Sequence, residues 1–443
     1  MEHNTLHATI GVASLSSPLE VGADRAPKGA ADISATLGQT GFTIHNVGVV
    51  DSPERATEAG LKAAELHCDA VVFVPACWYE DYLVMDFLEE CPVPVLLWPL
   101  PGMETGALCG AQQQTSFLKR VSHPYEGVFG GPDDPKAFEK AERFLKAVAL
   151  RRHLRRAKIG FAGHRVHGMT DTVADEHLLK KEIGPRLIYL DMPVLMEEAE
   201  KMADSEVASA WDEVEKKAGK SEVKQEDGLY TMKVLRVLEK MIDEHRLNAL
   251  TVGCYPYFMG RPCLPASLLA DRGIPLGCEG DVNGAVAQLV LTLLTGEPTH
   301  NTDWLDPIRD SSGEDTIVMT HCGSNSFSLA ENPEEITLAP VRLMDQGVCV
   351  LYTAKPGPVT LLNLMSGPQG YTLAVLEGEA VSTEMVFPGD PVRVKFETPI
   401  DDLLDWIFQN GVGHHWMVGY GHVGAVLKEW ARIIGREDII ISP

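Results

Sequence analysis

The feature that most constrains the fold is a series of short, β-branched apolar runs alternating with helix-like stretches. "ATIGVASL", "FTIHNVGVV", "DAVVFVPA" and "VPVLLWPL" recur over residues 1–155, separated by stretches such as "SPERATEAGLKAAELHC" and "YEDYLVMDFLEEC". Runs that are apolar at nearly every position belong in a parallel sheet with helices on both faces. The helix-like "DPKAFEKAERFLKAVALRRHLRRA" closes this set, its basic end placing cations at a helix C-terminus. A second set restarts at "KIGFAGHRVHGM" and continues through "PRLIYLDM", "LNALTVGCYP" and "GIPLGCEG", with "MPVLMEEAEKMA", "TMKVLRVLEKMIDEH" and "NGAVAQLVLTLLTG" between them.

Beyond residue 298 the strands crowd together. "DTIVMTHCG", "EEITLAPVRL", "GVCVLYTAK", "GPVTLLNLMS", "YTLAVLEGEAVS" and "DPVRVKFET" follow one another across Gly, Pro and Asp turns, and two helical stretches end the chain. Such spacing predicts an antiparallel barrel or sandwich. The expected class is therefore α/β: two doubly wound parallel-sheet domains (1–155 and 156–298), then a β-rich, barrel-like domain with terminal helices (299–443).

Charge narrows the function. The chain has 38 basic and 63 acidic residues, a formal net charge of −25. Such a surface repels phosphate backbones and anionic membranes, so neither is an expected partner. A divalent cation or a neutral sugar meets no such barrier. There is no apolar run of about 18 residues to span a membrane, and "MEHNTLHATIGVASL" has no basic segment leading into an apolar core. Nine cysteines are scattered, several within apolar strands (Cys68, Cys254, Cys349), and no CxxC pair occurs. Reduced thiols in a cytoplasmic protein are the expected reading.

The chemistry-bearing candidates are dispersed. "CEGDVNGA" places Glu279 and Asp281 two residues apart between a short apolar strand and a helix. Open α/β sheets bind ligands at that end of their strands. On an extended backbone both carboxylates face one side; alternatively Asp281 caps the helix and Glu279 is a favourable charge near its positive end. "HNTDWLDPIRD" adds Asp303 and Asp306, "VMTHCGSN" adds His321, and "GVGHHWMVGYGH" adds His414, His415 and His422. A lone histidine is more often a packing or surface residue, but glycines flanking the His-His pair free the backbone for an unusual approach. Two oxygens with one or two imidazoles suit Mn²⁺, and also Zn²⁺.

These segments, in this order, resemble the L-fucose/L-arabinose isomerase superfamily. "GHRVHGMTDTVADEHLLKKEIGPRLIYLDMPVL" is similar to its turn–helix–strand segment, "CEGDVNGA" to its acidic metal-ligand motif, "NTDW" followed by "THCG" to its ligand acid and ligand histidine, and "GVGHHWMVGYG" to its C-terminal Gly-Ala-His-His segment. The resemblance implies Mn²⁺-dependent interconversion of an aldose and a ketose, in trimers or hexamers with sites at subunit junctions. It implies Glu279, Asp303, His321 and His415 as metal ligands, with Asp281 and His414 as competitors; the arabinose branch has Glu where this chain has Asp303. Glu279 and Asp303 become the expected acid–base pair for a proton shuttle through an ene-diolate. Gln112, Gln114, His164, Arg165, His167, His414 and Trp416 are the expected substrate contacts, Arg165 being suited to an anionic substituent. Trp78, Trp304 and Trp416 are either flat walls against a sugar or packing residues. Two alternatives stand beside this reading: an isomerase for an anionic sugar such as sulfoquinovose, and a non-catalytic sugar-binding protein on the same scaffold.

Overall fold

A computed structural model describes residues 4–309 and 315–443; the first three residues and the last residue of "HNTDWLDPIRD" lie outside the described residues. The chain divides into two compact units.

The first unit comprises Leu6–His153 and Ala425–Glu437. Its strands are β1 (Thr9–Leu15), β2 (Thr43–Val50), β3 (Ala70–Pro75), β4 (Val95–Leu97) and β5 (Tyr125–Gly127). They form one parallel sheet in the order β2-β1-β3-β4-β5. Every residue of β3 is buried, as expected of a strand covered on both faces. Phe73 of β3 meets Phe87 of the helix Tyr82–Glu90 edge-to-face, with ring centroids 5.0 Å apart. The helix Pro53–Glu65 starts where sequence rules place it, with the Ser52 hydroxyl accepting from Arg55 N and proline in the first turn. Near the C-terminus the chain re-enters this unit, where Arg432 pairs with Glu126 of β5 and with Glu429.

The second unit comprises Leu154–Gly424 and Asp438–Pro443. It contains β6 (Lys158–Ala162), β7 (Arg186–Leu190), β8 (Lys220–Ser221), β9 (Ala249–Val252), β10 (Leu276–Gly277), β11 (Thr299–Ile308), β12 (Thr316–Thr320), β13 (Thr337–Val341), β14 (Gln346–Leu351), β15 (Gly357–Gly367), β16 (Gly370–Val381), β17 (Val392–Lys395), β18 (His415–Tyr420) and β19 (Ile440–Ile441). A parallel sheet runs β10-β9-β6-β7. Antiparallel pairs join β15-β18-β11-β12-β17-β16, and β16 pairs back onto β15, closing a six-stranded barrel that β19 extends in parallel. Ile317, Met319, Leu361, Val394, Trp416 and Val418 fill its core.

Two features differ from the sequence expectation. "EEITLAPVRL" and "GVCVLYTAK" do not join the barrel. They form the β13–β14 hairpin, which pairs with β8, because Leu338, Val348 and Val350 bury themselves in the core of the β6–β10 sheet beside Trp211. Conversely, "THNTDWLDPI" and "HWMVGY" are the barrel strands β11 and β18. Their polar content hides the alternation that usually marks a strand.

Candidate metal and sugar site

Strand register assembles most of the site. On adjacent barrel strands Asp303 of β11 lies opposite His415 of β18 on one side and Thr320 of β12 on the other. His321 follows Thr320 directly, so one row across three strands presents Asp303, His321 and His415. Glu279 comes from elsewhere in the same unit, just beyond β10. Its backbone is left-handed (φ 63°), as is that of Gly280 (φ 76°). A non-glycine residue in that region carries strain, a feature that clusters at functional sites. The turn is locked: Gly280 N donates to Val252 O at 3.1 Å, Asp281 N to Cys278 O at 3.0 Å, and Val166 N to Glu279 O at 3.2 Å. A Cβ on Gly280 would stand 2.7 Å from His164 O, so glycine lets the loop after β6 approach this closely.

The reversal at Glu279 replaces the extended geometry expected for "CEGDVNGA" and gives its two acids different tasks. Asp281 caps the helix Val282–Thr295, Oδ1 accepting from Gly284 N at 2.9 Å. Its Oδ2 takes His415 Nδ1 at 2.9 Å. Glu279 Oε2 lies 3.2 Å from the opposite ring nitrogen, His415 Nε2. The two carboxylates thus bracket one imidazole.

His321 Nε2 lies 3.8 Å from Glu279 Oε2 and 3.9 Å from Asp303 Oδ2, and His415 Nε2 lies 3.8 Å from Asp303 Oδ1. Glu279, His321 and His415 each offer a ligand atom within 4.8 Å of the others, as do Asp303, His414 and His415. Asp303 Oδ1 is buried without a hydrogen-bond partner among the described residues, and His415 Nε2, though 3.2 Å from Glu279 Oε2, makes no well-aligned hydrogen bond. Burying such atoms without a partner is costly, and a cation bound between them would remove that cost. The donor set of two carboxylates and two imidazoles fits Mn²⁺ or Zn²⁺.

Electrostatics agree with geometry. Burial pushes the Glu279 carboxyl upward, but the imidazoles of His321 and His415 outweigh it and hold the group well below the usual carboxylate range. Burial pushes the His415 imidazole down, and Asp281 and Glu279 reverse this, raising it to about 10. Behind the row, fully buried Asp390 accepts from His321 N (3.4 Å), Asn325 N (3.1 Å) and Asn325 Nδ2 (2.7 Å), pinning the loop that carries His321.

The other expected contacts scatter. His414 is half-exposed beside the row, its Nδ1 2.5 Å from Asp171 Oδ2. His164 and His167 are exposed, their rings 5.7 Å apart, on the loop that bonds to Glu279. The Arg165 guanidinium donates to Val166 O at 2.9 Å and Met169 O at 2.6 Å. Trp416 is buried in the barrel interior at 5.8 Å from Trp304, which in turn stacks on Phe396; both tryptophans are packing residues, because their positions on β18 and β11 point into the core. Gln112, Gln114 and Trp78 belong to the first unit. There Gln112 is exposed, Gln114 is fully buried, and Trp78 Nε1 donates to Gln113 Oε1 at 3.1 Å. Asp306 is exposed beyond a β-bulge, and His422 Nε2 lies 3.2 Å from Gly378 O.

Sequence reasoning missed Asp171, Asp390 and Asn363. Asn363 Nδ2 donates to Gly413 O (2.9 Å) and His415 O (2.7 Å), bracing the backbone on both sides of His414. No local motif marks these residues, since their partners lie 243, 69 and 52 positions away.

Comparison with known proteins places the chain beside sugar isomerases. It is 26% identical over 381 residues to a sulfoquinovose isomerase of Priestia aryabhattai, covering 83% of this chain and 84% of that protein. A sulfoquinovose isomerase of Alkalicoccus urumqiensis is 23% identical over 390 residues, covering 84% and 86%. An L-arabinose isomerase of Lactiplantibacillus plantarum is 21% identical over 351 residues, covering 75% and 73%. No family model matches the chain.

Proposed function

We propose that the chain, which is similar to sulfoquinovose and L-arabinose isomerases, belongs to the L-fucose/L-arabinose isomerase superfamily and is an aldose–ketose isomerase acting on a monosaccharide. The observation that supports this most is the meeting of Glu279, Asp303, His321 and His415 at one point. Aldose–ketose exchange moves a hydrogen between C1 and C2 and a proton between O1 and O2. It therefore needs two proton-handling groups facing the same two carbons. Glu279 and Asp303 are two carboxylates in reach of the same imidazoles, and we assign them this pair of roles. One carboxylate oxygen takes the proton from the carbon beside the carbonyl, and the other group returns a proton to the neighbouring oxygen or carbon. Asp281 fixes the His415 ring from behind, as carboxylates do for metal-binding histidines.

Glu279, Asp303, His321 and His415 are the residues that would hold a divalent cation, for which we propose Mn²⁺. That cation supplies Lewis-acid polarisation of the sugar carbonyl. Strained backbone at Glu279, buried imidazoles and the pinned His321 loop keep these side chains fixed before substrate arrives, which suits electrostatic preorganisation. A reducing, cytoplasmic setting and a homo-oligomer, trimeric or hexameric, complete the proposal; the free state of all nine cysteines supports the former.

A second reading concerns the sugar. Two of the relatives named above are sulfoquinovose isomerases, and Arg165 with His164 and His167 lies on the loop bonded to Glu279. This supports an anionic, sulfonated aldose. A panel of sulfoquinovose, L-arabinose and L-fucose, followed by NMR after EDTA treatment and again after Mn²⁺ addition, tests both readings. Mn²⁺-dependent isomerisation of an aldose is expected, with sulfoquinovose favoured under the second reading. Failure to turn over any aldose would contradict the first.

A further inference from the structure

His414 and His415 are neighbours in sequence, with ring centroids 4.2 Å apart, and each has its own aspartate. Asp281 holds His415 in the buried row. Asp171, on the loop after β6, holds His414 at the row's solvent-open side, where the His414 side chain is 43% exposed. The same oxygen of Asp171 accepts twice: from the His414 backbone N at 3.2 Å and from the ring Nδ1 at 2.5 Å. A backbone N–H can only donate, so this oxygen is an acceptor and the proton of the neutral ring sits on Nδ1. The other ring nitrogen, Nε2, is then an acceptor. A Cβ at Gly413 would stand 3.3 Å from this Asp171 oxygen, so glycine leaves room for the approach, and Asn363 braces the carbonyls of Gly413 and His415.

From this geometry we propose that Asp171 is a positioning residue that fixes His414 as a hydroxyl-accepting contact for the reacting end of the sugar, one step outside the metal ligands. The proposal rests on the isomerase reading for its substrate, but the hold of Asp171 on the ring is a property of the protein alone. It separates two histidines that the sequence leaves interchangeable: His415 to the cation, His414 to the sugar.

The test compares Asp171→Ala, Asp171→Asn and His414→Gln in the full chain. Long-range ¹H–¹⁵N correlation on histidine-labelled protein reads the His414 tautomer directly. The Nδ1–H form is expected in the wild type and in Asp171→Asn, whose amide oxygen still accepts, and mixed tautomers in Asp171→Ala. With substrate, Asp171→Ala should lower kcat/KM by about 10–100-fold, Asp171→Asn by about fivefold or less, and Mn²⁺ affinity should hold to within about twofold in all three. In a His414→Gln background Asp171→Ala should lose most of its cost, because only its bond to the residue 414 backbone N remains to be broken. The proposal is overturned if the tautomer ignores Asp171, if Asp171→Ala keeps its full cost without His414, or if His414→Gln weakens Mn²⁺ binding as loss of a ligand does. If the tautomer responds as expected while the wild type isomerises no aldose, the positioning role stands and the isomerase reading falls.

Discussion

The two parallel sheets begin alike and end differently. The first runs β2-β1-β3-β4-β5; the second, read from its other edge, runs β7-β6-β9-β10, the same winding with its first two strands likewise exchanged. Both therefore offer strand ends at a switch point, where open α/β sheets bind ligands. In the first unit the loop after β1 carries an exposed apolar residue, Leu19, at 96% exposure. In the second the loop after β6 and the end of β9 bond to the Glu279 turn beyond the neighbouring β10, through Val166 N to Glu279 O and Gly280 N to Val252 O. The sheet provides only a platform, and the proposed chemistry depends on β11, β12 and β18 bringing one acid and two imidazoles together in register. A shared topology is thus no guide to which unit reacts.

Substitutions break that contrast most sharply at Glu279. Glu279→Gln is expected to lower kcat by about 10²–10⁴-fold with its circular dichroism spectrum unchanged, the range for loss of a general acid or base. Asp281→Ala should weaken Mn²⁺ binding, measured by calorimetry, by about 10–100-fold through the loosened His415 ring. It should also lower stability by about 1 kcal/mol through the lost cap.

The pH response follows from signs. The raised His415 group stabilises the metal-free fold fully below its ordinary value near 6.5, and this is lost as pH climbs towards about 10. The depressed Glu279 contributes above its ordinary value of 4.5 and loses its effect as pH falls further. Thermal melting without metal should therefore peak between about pH 5 and 6.5 and fall on the alkaline side. Mn²⁺ should bind more tightly as pH rises over the same alkaline range, because it displaces the His415 proton. The smallest effect is expected in the first unit. Gln114 is buried with neither amide atom hydrogen-bonded among the described residues, so Gln114→Met should raise stability by about 1 kcal/mol in a denaturant titration. Mn²⁺ affinity should not change.

Much of this was legible in the sequence, for physical reasons. Fully buried parallel strands such as "AVVFVP" carry their own signature, and Ser52-Pro53 announces a helix. Glu279 and His321 stand just beyond short apolar strands that hydropathy marks. The strands β11 and β18 were not legible as strands, because polar residues such as Asn301, Asp303 and His415 interrupt their apolar pattern. Nor was the left-handed turn at Glu279, a conformation that no residue type announces outside glycine and asparagine. The pairing of each histidine with its aspartate depends on contacts across 134 and 243 positions. That is tertiary information, and it decides which histidine does what.

Anomalous diffraction at the manganese edge, from crystals grown with Mn²⁺, tests the central claim most directly. The account predicts one strong peak bonded to Glu279, Asp303, His321 and His415, with His414 outside the shell. No peak at that point, or a peak bonded to His414 in place of His415, would contradict it.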